Sequence, residues 1–337
     1  ALTGHLVEKA FGVQEITEQM MFWTLIALFI AVIHLGQREV DPSTVIGVAR
    51  PPLASRLPGR RIMAVSGALL LCVVGATFAG TTVSADMQSR HGLESAAEGN
   101  WSGAISAFDS ASTLAPYRPR YHWHLYRASF LAAQEQETLT DRARLFNSAL
   151  YHILRAQELE PVNYYYVLEE ARLEAFAALS IHESRDQEAV RLFKLAAQMS
   201  PKSVDVLNDW ALYEMRNRRL PQALTLLQHS LSLDTEYGIT HFLLGHIYSN
   251  FGQPDEAVLA FRDAIEYSPS YRDFYFALAT SIYSEPQEAL GPALRYAEAA
   301  PDDPRAHRSL VAIYEALGMG QEAQEHARLA DTLSVLQ

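Results

Sequence analysis

From about residue 85 onward, apolar and small side chains recur with the spacing of amphipathic helices, and these helices come in pairs. The clearest pair is His241–Pro269, with Gly245 in its first helix and Ala257 and Phe261 in its second. Small residues let two antiparallel helices cross closely, and proline ends a helix because its ring cannot continue the hydrogen-bond ladder. The pattern predicts two packed helices closed by Pro269.

The same pattern recurs in register seven times. A small residue occupies the position of Ala257 in every copy, at steps of 45, 40, 34, 34, 32 and 34 residues. Most copies have proline twelve residues later. The small residues are Ala104, Ala149, Ala189, Ala223, Ala257, Ala289 and Ala323, and the prolines are Pro116, Pro161, Pro201, Pro269 and Pro301. This register and a period near 34 residues resemble the tetratricopeptide repeat family.

The resemblance covers about residues 85–335. It implies an all-α fold at residues 84–337, a right-handed α-solenoid of about seven helix pairs, and a protein–protein scaffold without catalysis. In this family the leading helices line the face that binds partners, and a groove of mixed aromatic, amide and basic side chains suits an extended peptide or a helix. The register places nine side chains on that face: Asn208, Leu212, Met215, Phe242, His246, Asn250, Phe276, Tyr283 and Arg308.

Two repeats depart from the regular length. The 45-residue step contains about eleven extra residues relative to the family period, which we place in Gln134–Arg144, where they lengthen a helix or its turn. Repeat six is shortened around Ala293–Ala300 and carries Pro286 and Pro292. Because proline disrupts helix interiors, the second helix of this repeat is predicted to be short or bent.

Two apolar runs precede the repeats. Ile62–Val83 has no charged residue over 22 positions, whereas Met20–Leu35 is shorter and reaches a membrane-spanning length of about 20 residues only when it is extended back to Ile16. We predict transmembrane helices at residues 20–35 and 62–83, after an amphipathic segment at residues 1–19. Buried helices of a soluble domain are the alternative.

The connector at residues 36–61 has five arginines against two acidic residues, and its four prolines predict an extended loop. By the positive-inside rule the connector is cytoplasmic. Both termini and the repeats are therefore predicted on the extracytoplasmic side of the membrane. No helix breaker follows Ser84 before Glu98, so the second span is predicted to continue almost without pause into the first repeat.

Charge is unevenly distributed. The chain has a net charge of −12; residues 1–83 carry six basic and five acidic side chains, and residues 84–337 carry the remaining 21 basic and 34 acidic ones. Nucleic-acid affinity depends on phosphate neutralisation by Lys and Arg, so an acidic solenoid argues against nucleic-acid partners. The single cysteine, Cys72, excludes an intramolecular disulfide.

Candidate chemistry is sparse. His122 and His124 are two residues apart and so face different directions on a helix, which disfavours a shared metal ion. The acidic pairs Glu169–Glu170 and Asp302–Asp303 are predicted to be solvated or to cap helices. No catalytic site, metal site or cofactor is predicted. The aromatic residues of Tyr117–Tyr126 and Tyr164–Tyr166 fit either a membrane-interface belt or the filling of an irregular core.

A narrower resemblance concerns the order of segments. The stretch HLVEKAFGVQEITEQMMFW, an apolar pair around an Arg-Pro connector, and extracytoplasmic repeats are similar to the carboxy-terminal part of bacterial O-antigen ligase-like membrane proteins. The resemblance implies that the membrane is a bacterial inner membrane. The glycosyl-transfer residues of those proteins lie upstream of anything in this chain.

Two functional hypotheses follow. The first is a membrane-anchored scaffold that binds other proteins of a membrane complex through its repeats and the lipid bilayer through two helices. The second is the non-catalytic C-terminal region of an O-antigen ligase or polymerase-like glycosyltransferase. A reading frame that continues upstream into more spans would favour the second hypothesis, and a start codon or cleavage site just before Ala1 would favour the first.

Overall fold

The computed structural model describes residues 58–282 and 284–335, and the regular secondary structure of these residues is helical. A short 3-10 helix at Glu183–Arg185 accompanies the α-helices, so the all-α prediction is confirmed for the described residues. The α-helices of this part of the chain are α1 Pro58–Ala97, α2 Trp101–Leu114, α3 Pro119–Glu135, α4 Leu139–Leu159, α5 Tyr164–Ser180, α6 Asp186–Met199, α7 Val204–Arg216, α8 Leu220–Leu233, α9 Gly238–Asn250, α10 Pro254–Tyr267, α11 Arg272–Ser281, α12 Pro286–Ala299, α13 Pro304–Ala316 and α14 Gly320–Val335.

The chain divides into two compact units, residues 1–136 and 137–337. In the first unit, α1 packs on α2 and α2 packs on α3. In the second unit, each helix from α4 to α14 packs on the next, and leading helices also contact one another, as in α5 with α7 and α7 with α9. This is the arrangement of a tetratricopeptide-like solenoid of helix pairs. Helices α3 and α4, which the register assigns to one repeat, belong to different units.

The predicted small positions are buried. Six of the seven alanines have no exposed surface, and Ala323 is 5 % exposed. A Cβ atom on Gly245 would lie 2.5 Å from Cε1 of Phe261, so only glycine lets α9 approach that ring. Gly92 in α1 has the same relation to Phe108 in α2, at 2.5 Å. The close crossing predicted for Gly245 is therefore confirmed, and the first pair repeats it.

Helix ends follow the predicted stops. Helices α2, α4, α6, α10 and α12 each end two residues before a proline of the register. Helix α8 ends at Leu233, and Thr235 takes the place of proline there. The turn geometry of the fold therefore persists at a position where proline is absent.

Two length predictions have different outcomes. The extra residues of the 45-residue step lengthen α4, which has 21 residues. The second helix of repeat six is not short: α12 has 14 residues, as many as α10, with Pro292 in its interior, and the short helix is α11 with 10. Pro286 is harmless in the first turn of α12, where its missing N–H would have had no helical partner.

Helix α1 is continuous over 40 residues, as the absence of a breaker before Glu98 predicts. It begins at Pro58, so the last four residues of the predicted extended connector are helical instead. The segment at residues 1–19, the predicted span Met20–Leu35 and residues 36–57 lie outside the described residues.

The prediction of a second span at Ile62–Val83 falls within α1. Among the residues that the structure describes, no helix combines the length and the apolar character that a membrane crossing requires.

Candidate protein-binding cleft

The leading helices of repeats four and five, α7 and α9, form the walls of the candidate site. Helix α7 starts after Ser203, whose hydroxyl accepts a hydrogen bond from the N–H of Val206. Such an N-cap satisfies a backbone donor that the helix itself cannot pair. Both helices bury one face in a common core that includes Ala211, Leu243 and Leu244. Leu212, Met215 and Phe242 border this core, and together with Leu243 they line the adjacent cleft.

This α7–α9 cleft has a volume of about 600 Å³, within the usual range of ligand sites. Five of the nine side chains predicted from the repeat register meet in it: Leu212, Met215, Phe242, His246 and Asn250. The others that line it are Arg216, Arg218, Leu220 and Leu243.

One wall of the cleft is aromatic. The rings of Phe242 and His246 meet edge to face with centroids 4.6 Å apart, and Phe242 stacks on Phe274 of α11 at 4.8 Å. His246 also meets Phe261 at 5.2 Å. Burial lowers the pKa of His246 below its ordinary value, so its ring is neutral at neutral pH. Phe242 therefore packs against the core and also lines the cleft.

The rim of the cleft is cationic. Arg216 and Arg218 are exposed, and neither forms an ion pair within the described chain. Their neighbour Arg219 is different, because its guanidinium pairs with Asp186 at 2.9 Å and with Glu214. The register missed Arg216, Arg218 and Leu220, because it considered only one face of the helix and not the turn after it. The run Arg216–Arg219 in an acidic chain was a usable signal.

Asn208 does not line the cleft, so this assignment is corrected. It is 4 % exposed, and its amide donates to Thr240 Oγ1 at 2.9 Å. Thr240 is also 3.1 Å from the hydroxyl of Ser230. The amide thus joins α7, α8 and α9 as a buried polar contact, since buried polar groups need such partners.

The remaining predicted site residues lie elsewhere. Phe276 in α11 is half-buried against Tyr296, with centroids 5.1 Å apart, and the guanidinium of Arg305 lies 5.5 Å from its ring. Arg308 is exposed and donates to the hydroxyl of Ser334 at 2.7 Å. Tyr283 is outside the described residues. Neither Phe276 nor Arg308 lines the α7–α9 cleft.

The first unit contains a smaller, aromatic cavity of about 310 Å³, whose lining includes Trp101, Phe108, Trp123 and His124. His124 stacks on Phe108 at 5.0 Å. Burial, assisted by the charges of Arg120 and Arg127, lowers the pKa of His124 to about 4.

Nearby aromatic residues of the first unit fill its core. Tyr121 and Tyr126 are fully buried, which favours core filling over a membrane-interface belt for these two. His122 contacts the carbonyl oxygen of Pro116 at 3.1 Å. Over the described residues, no three His, Cys, Asp or Glu side chains are grouped to hold a metal ion.

Comparison with known proteins bears on the fifth repeat. Residues 240–271 match the family model of the tetratricopeptide repeat. This segment is therefore similar to a tetratricopeptide repeat. The match extends from the N-terminal turn of α9 through α10, and it includes the three residues that α9 contributes to the predicted binding face.

Several solved structures are similar to the chain. The TPR protein TTC0263 of Thermus thermophilus is 18 % identical, over 59 % of this chain and 98 % of that one, with a TM-score of 0.47. PilF of Pseudomonas aeruginosa is 14 % identical over 63 % and 93 %, with a TM-score of 0.48. YrrB, a TPR protein with an unusual peptide-binding site, is 16 % identical over 54 % and 91 %, with a TM-score of 0.41. No curated protein matches the chain in sequence.

Proposed function

We propose that this chain is a protein-interaction scaffold whose α7–α9 cleft binds a segment of another protein. One observation carries the proposal: five side chains that the repeat register assigns to a binding face line a single cleft of about 600 Å³. Leu212, Met215 and Phe242 supply an apolar surface for a partner's side chain. Arg216 and Arg218 supply donors at the rim, an arrangement typical of peptide recognition in helical grooves.

The chemistry of the lining also favours binding over catalysis. Its nine residues include no carboxylate, hydroxyl or thiol that could act as a nucleophile. Burial keeps the imidazole of His246 neutral, and the lining of the cleft holds no carboxylate that could act with it in acid–base catalysis.

The test is a selection of random twelve-residue peptides on the full chain, purified in mild detergent. Met215→Glu places a charge in the apolar wall and is expected to abolish binding of the selected peptides. Leu259→Glu is the matched control, because Leu259 lies on α10 outside the cleft and is 59 % exposed. Selected peptides that bind both variants equally well would refute the cleft as the binding site.

We further propose that the scaffold is anchored in a bacterial inner membrane, with its repeats and both termini outside the cytoplasm, and binds proteins of a membrane complex. Support comes from the uncharged run Ile62–Val83 and from the arginine-rich connector before it. On the described part of this run, Leu70, Val74 and Val83 are exposed apolar side chains.

Cysteine labelling tests this topology. In a Cys72→Ala background, a membrane-impermeant maleimide applied to intact cells should label Leu259→Cys and should not label Ser43→Cys in the connector. Labelling of both sites in intact cells, or of neither, would contradict the proposed orientation. The second hypothesis, the non-catalytic C-terminal region of an O-antigen ligase-like glycosyltransferase, is favoured if the reading frame extends upstream into more spans.

A further inference from the structure

The leading helices of four repeats end in the same kind of turn. In each turn one residue adopts a left-handed backbone: Gly99 with φ +74°, Arg218 with φ +61°, Gly252 with φ +71° and Gly318 with φ +75°. After α7, the N–H of Arg218 donates to the carbonyl of Met215 and the N–H of Arg219 to that of Glu214, both at 2.9 Å. After α9, Gly252 and Gln253 make the corresponding bonds. This is the Schellman motif.

Arg218 is the exception among these turns. Glycine adopts a positive φ without steric cost, whereas a residue with a Cβ is strained there. The three glycine turns form the same hydrogen bonds, so the fold does not require arginine at this position. Backbone strain that the fold does not need is a reason to look for a functional role of the side chain.

The side chain of Arg218 faces the α7–α9 cleft together with that of Arg216. Elsewhere in the second unit, surface arginines such as Arg155 and Arg191 are paired with a glutamate three residues away. The chain as a whole has 39 acidic and 27 basic residues. Arg216 and Arg218 have no ion pair in the described chain, and unlike Arg272 and Arg328, which also lack one, they lie on the rim of the candidate site.

We propose that Arg218, assisted by Arg216, selects acidic partner segments, in which an apolar side chain fills the cleft and an adjacent Asp or Glu meets the guanidinium groups. This inference rests on the proposed function of the cleft. A guanidinium presents parallel N–H donors that match the two oxygens of a carboxylate. Because the surrounding solenoid is acidic, an acidic segment is repelled elsewhere on the surface and attracted at this rim.

The central test is Arg218→Gly in the full chain. This variant adopts the residue of the three sister turns, so it should melt at the same or a higher temperature than the wild type. The probes are peptides from the selection described above, each made in its selected form and with every Asp and Glu changed to Asn and Gln. Binding is measured by fluorescence anisotropy at low and moderate salt.

We expect Asp and Glu to be enriched among the selected peptides. Arg218→Gly should weaken binding of the acidic form about tenfold and leave the amide form unchanged, and added salt should reduce the difference. Arg218→Lys, which keeps the charge but loses the planar fork, should fall between the two. Arg295→Ala is the charge-matched control, because Arg295 is an exposed residue of α12 that does not line the cleft; it should bind like the wild type.

The alternatives are separable. Peptides that need Met215 but show no acidic preference, or that bind Arg218→Gly normally, would overturn this inference and leave the cleft as a binding site. A lower melting temperature of Arg218→Gly would also overturn it, because arginine would then be serving the turn. A selection that yields no peptide sensitive to Met215→Glu would refute the proposed function itself.

Discussion

Two regions of the second unit have the same helix-pair architecture but use different kinds of side-chain contact. In the charged region, α5–α8, buried or half-buried ions contribute to the packing. Arg172 of α5 pairs with Glu169 of the same helix at 2.7 Å and with Asp209 of α7 at 2.8 Å, and Arg185 pairs with Glu174 of α5 at 3.0 Å. In the aromatic region, α9–α11, rings make the equivalent contacts. There Phe242 stacks on Phe274 at 4.8 Å and meets Phe261 at 5.9 Å.

The comparison separates what the repeat requires from what it permits. The small and apolar positions of the register are buried in both regions. The contacts between successive helix pairs, by contrast, can be either ionic or aromatic. Burial raises the pKa of Glu170, Glu174 and Asp209, and it outweighs the opposite effect of Arg185 on Glu174 and of Arg172 on Asp209. The charged region therefore bears a desolvation cost that the aromatic region does not.

The largest loss of unfolding free energy is expected from Arg219→Ala in the charged region. The substitution leaves Glu214, which is almost fully buried, and Asp186 without their cation. Removing one partner of a buried ion pair costs about 3–5 kcal/mol, and because Arg219 itself is about one-third exposed we expect roughly 3 kcal/mol. Urea denaturation followed by circular dichroism measures the change in unfolding free energy.

Arg191→Ala is the control for this prediction. Arg191 pairs with Glu188 at 2.6 Å, but both side chains are well exposed, so the pair contributes about 0.2–1 kcal/mol. Equal losses in the two variants would show that burial does not distinguish these ion pairs, and the contrast between the regions would fail.

A smaller loss of unfolding free energy, about 1–3 kcal/mol, is expected from Gly245→Leu in the aromatic region. Even a Cβ atom at this position would approach Phe261 to 2.5 Å, so the larger side chain must separate α9 from α10. Gly291→Leu is the matched control, since a Cβ on Gly291 in α12 meets nothing within 4 Å. If both variants melt alike, the repeat register is wrong.

The smallest expected change in unfolding free energy depends on pH and concerns Glu170. The pKa of Glu170 is raised above its ordinary 4.5 by burial, so the folded state holds this proton more tightly than the unfolded state. The stability that this carboxyl group contributes is fully present below pH 4.5. It is lost as the pH rises through the pKa that the group has in the folded state. Glu170→Gln should therefore raise the unfolding free energy at pH 7 by roughly 1 kcal/mol, a usual size for one substitution.

The difference between Glu170→Gln and the wild type should disappear near pH 4, where both side chains are uncharged. Paired urea titrations at the two pH values measure it. A variant that is less stable than the wild type at pH 7 would show that the charged carboxylate stabilises the fold, contrary to this account.

Much of the fold could be predicted because the repeat constrains single positions. The crossing of Gly245 over Phe261 follows from spacing alone, and so do five side chains of the cleft. Asp303 was predicted to be solvated or to cap a helix, and it does cap α13 by accepting from the N–H of Arg305 at 2.9 Å. These features depend on residues close in sequence.

Features that depend on distant residues were missed. Glu169 and Glu170 were predicted to be solvated or capping, yet both are buried, since α5 packs on α6 and α7 and Glu169 shares Arg172 with Asp209. Asn208 was assigned to the binding face because the register does not fix the rotation of α7 closely enough to separate a groove position from a buried one. The strained turn at Arg218 is invisible without backbone angles.

The most direct test of the central claim is hydrogen–deuterium exchange of the full chain with and without a selected acidic peptide. Binding in the α7–α9 cleft should slow amide exchange in residues 212–220 and 242–250 and leave α12 and the aromatic cavity of the first unit unchanged. Slower exchange confined to other helices, with no change at the cleft, would contradict the assignment of the partner site to α7 and α9.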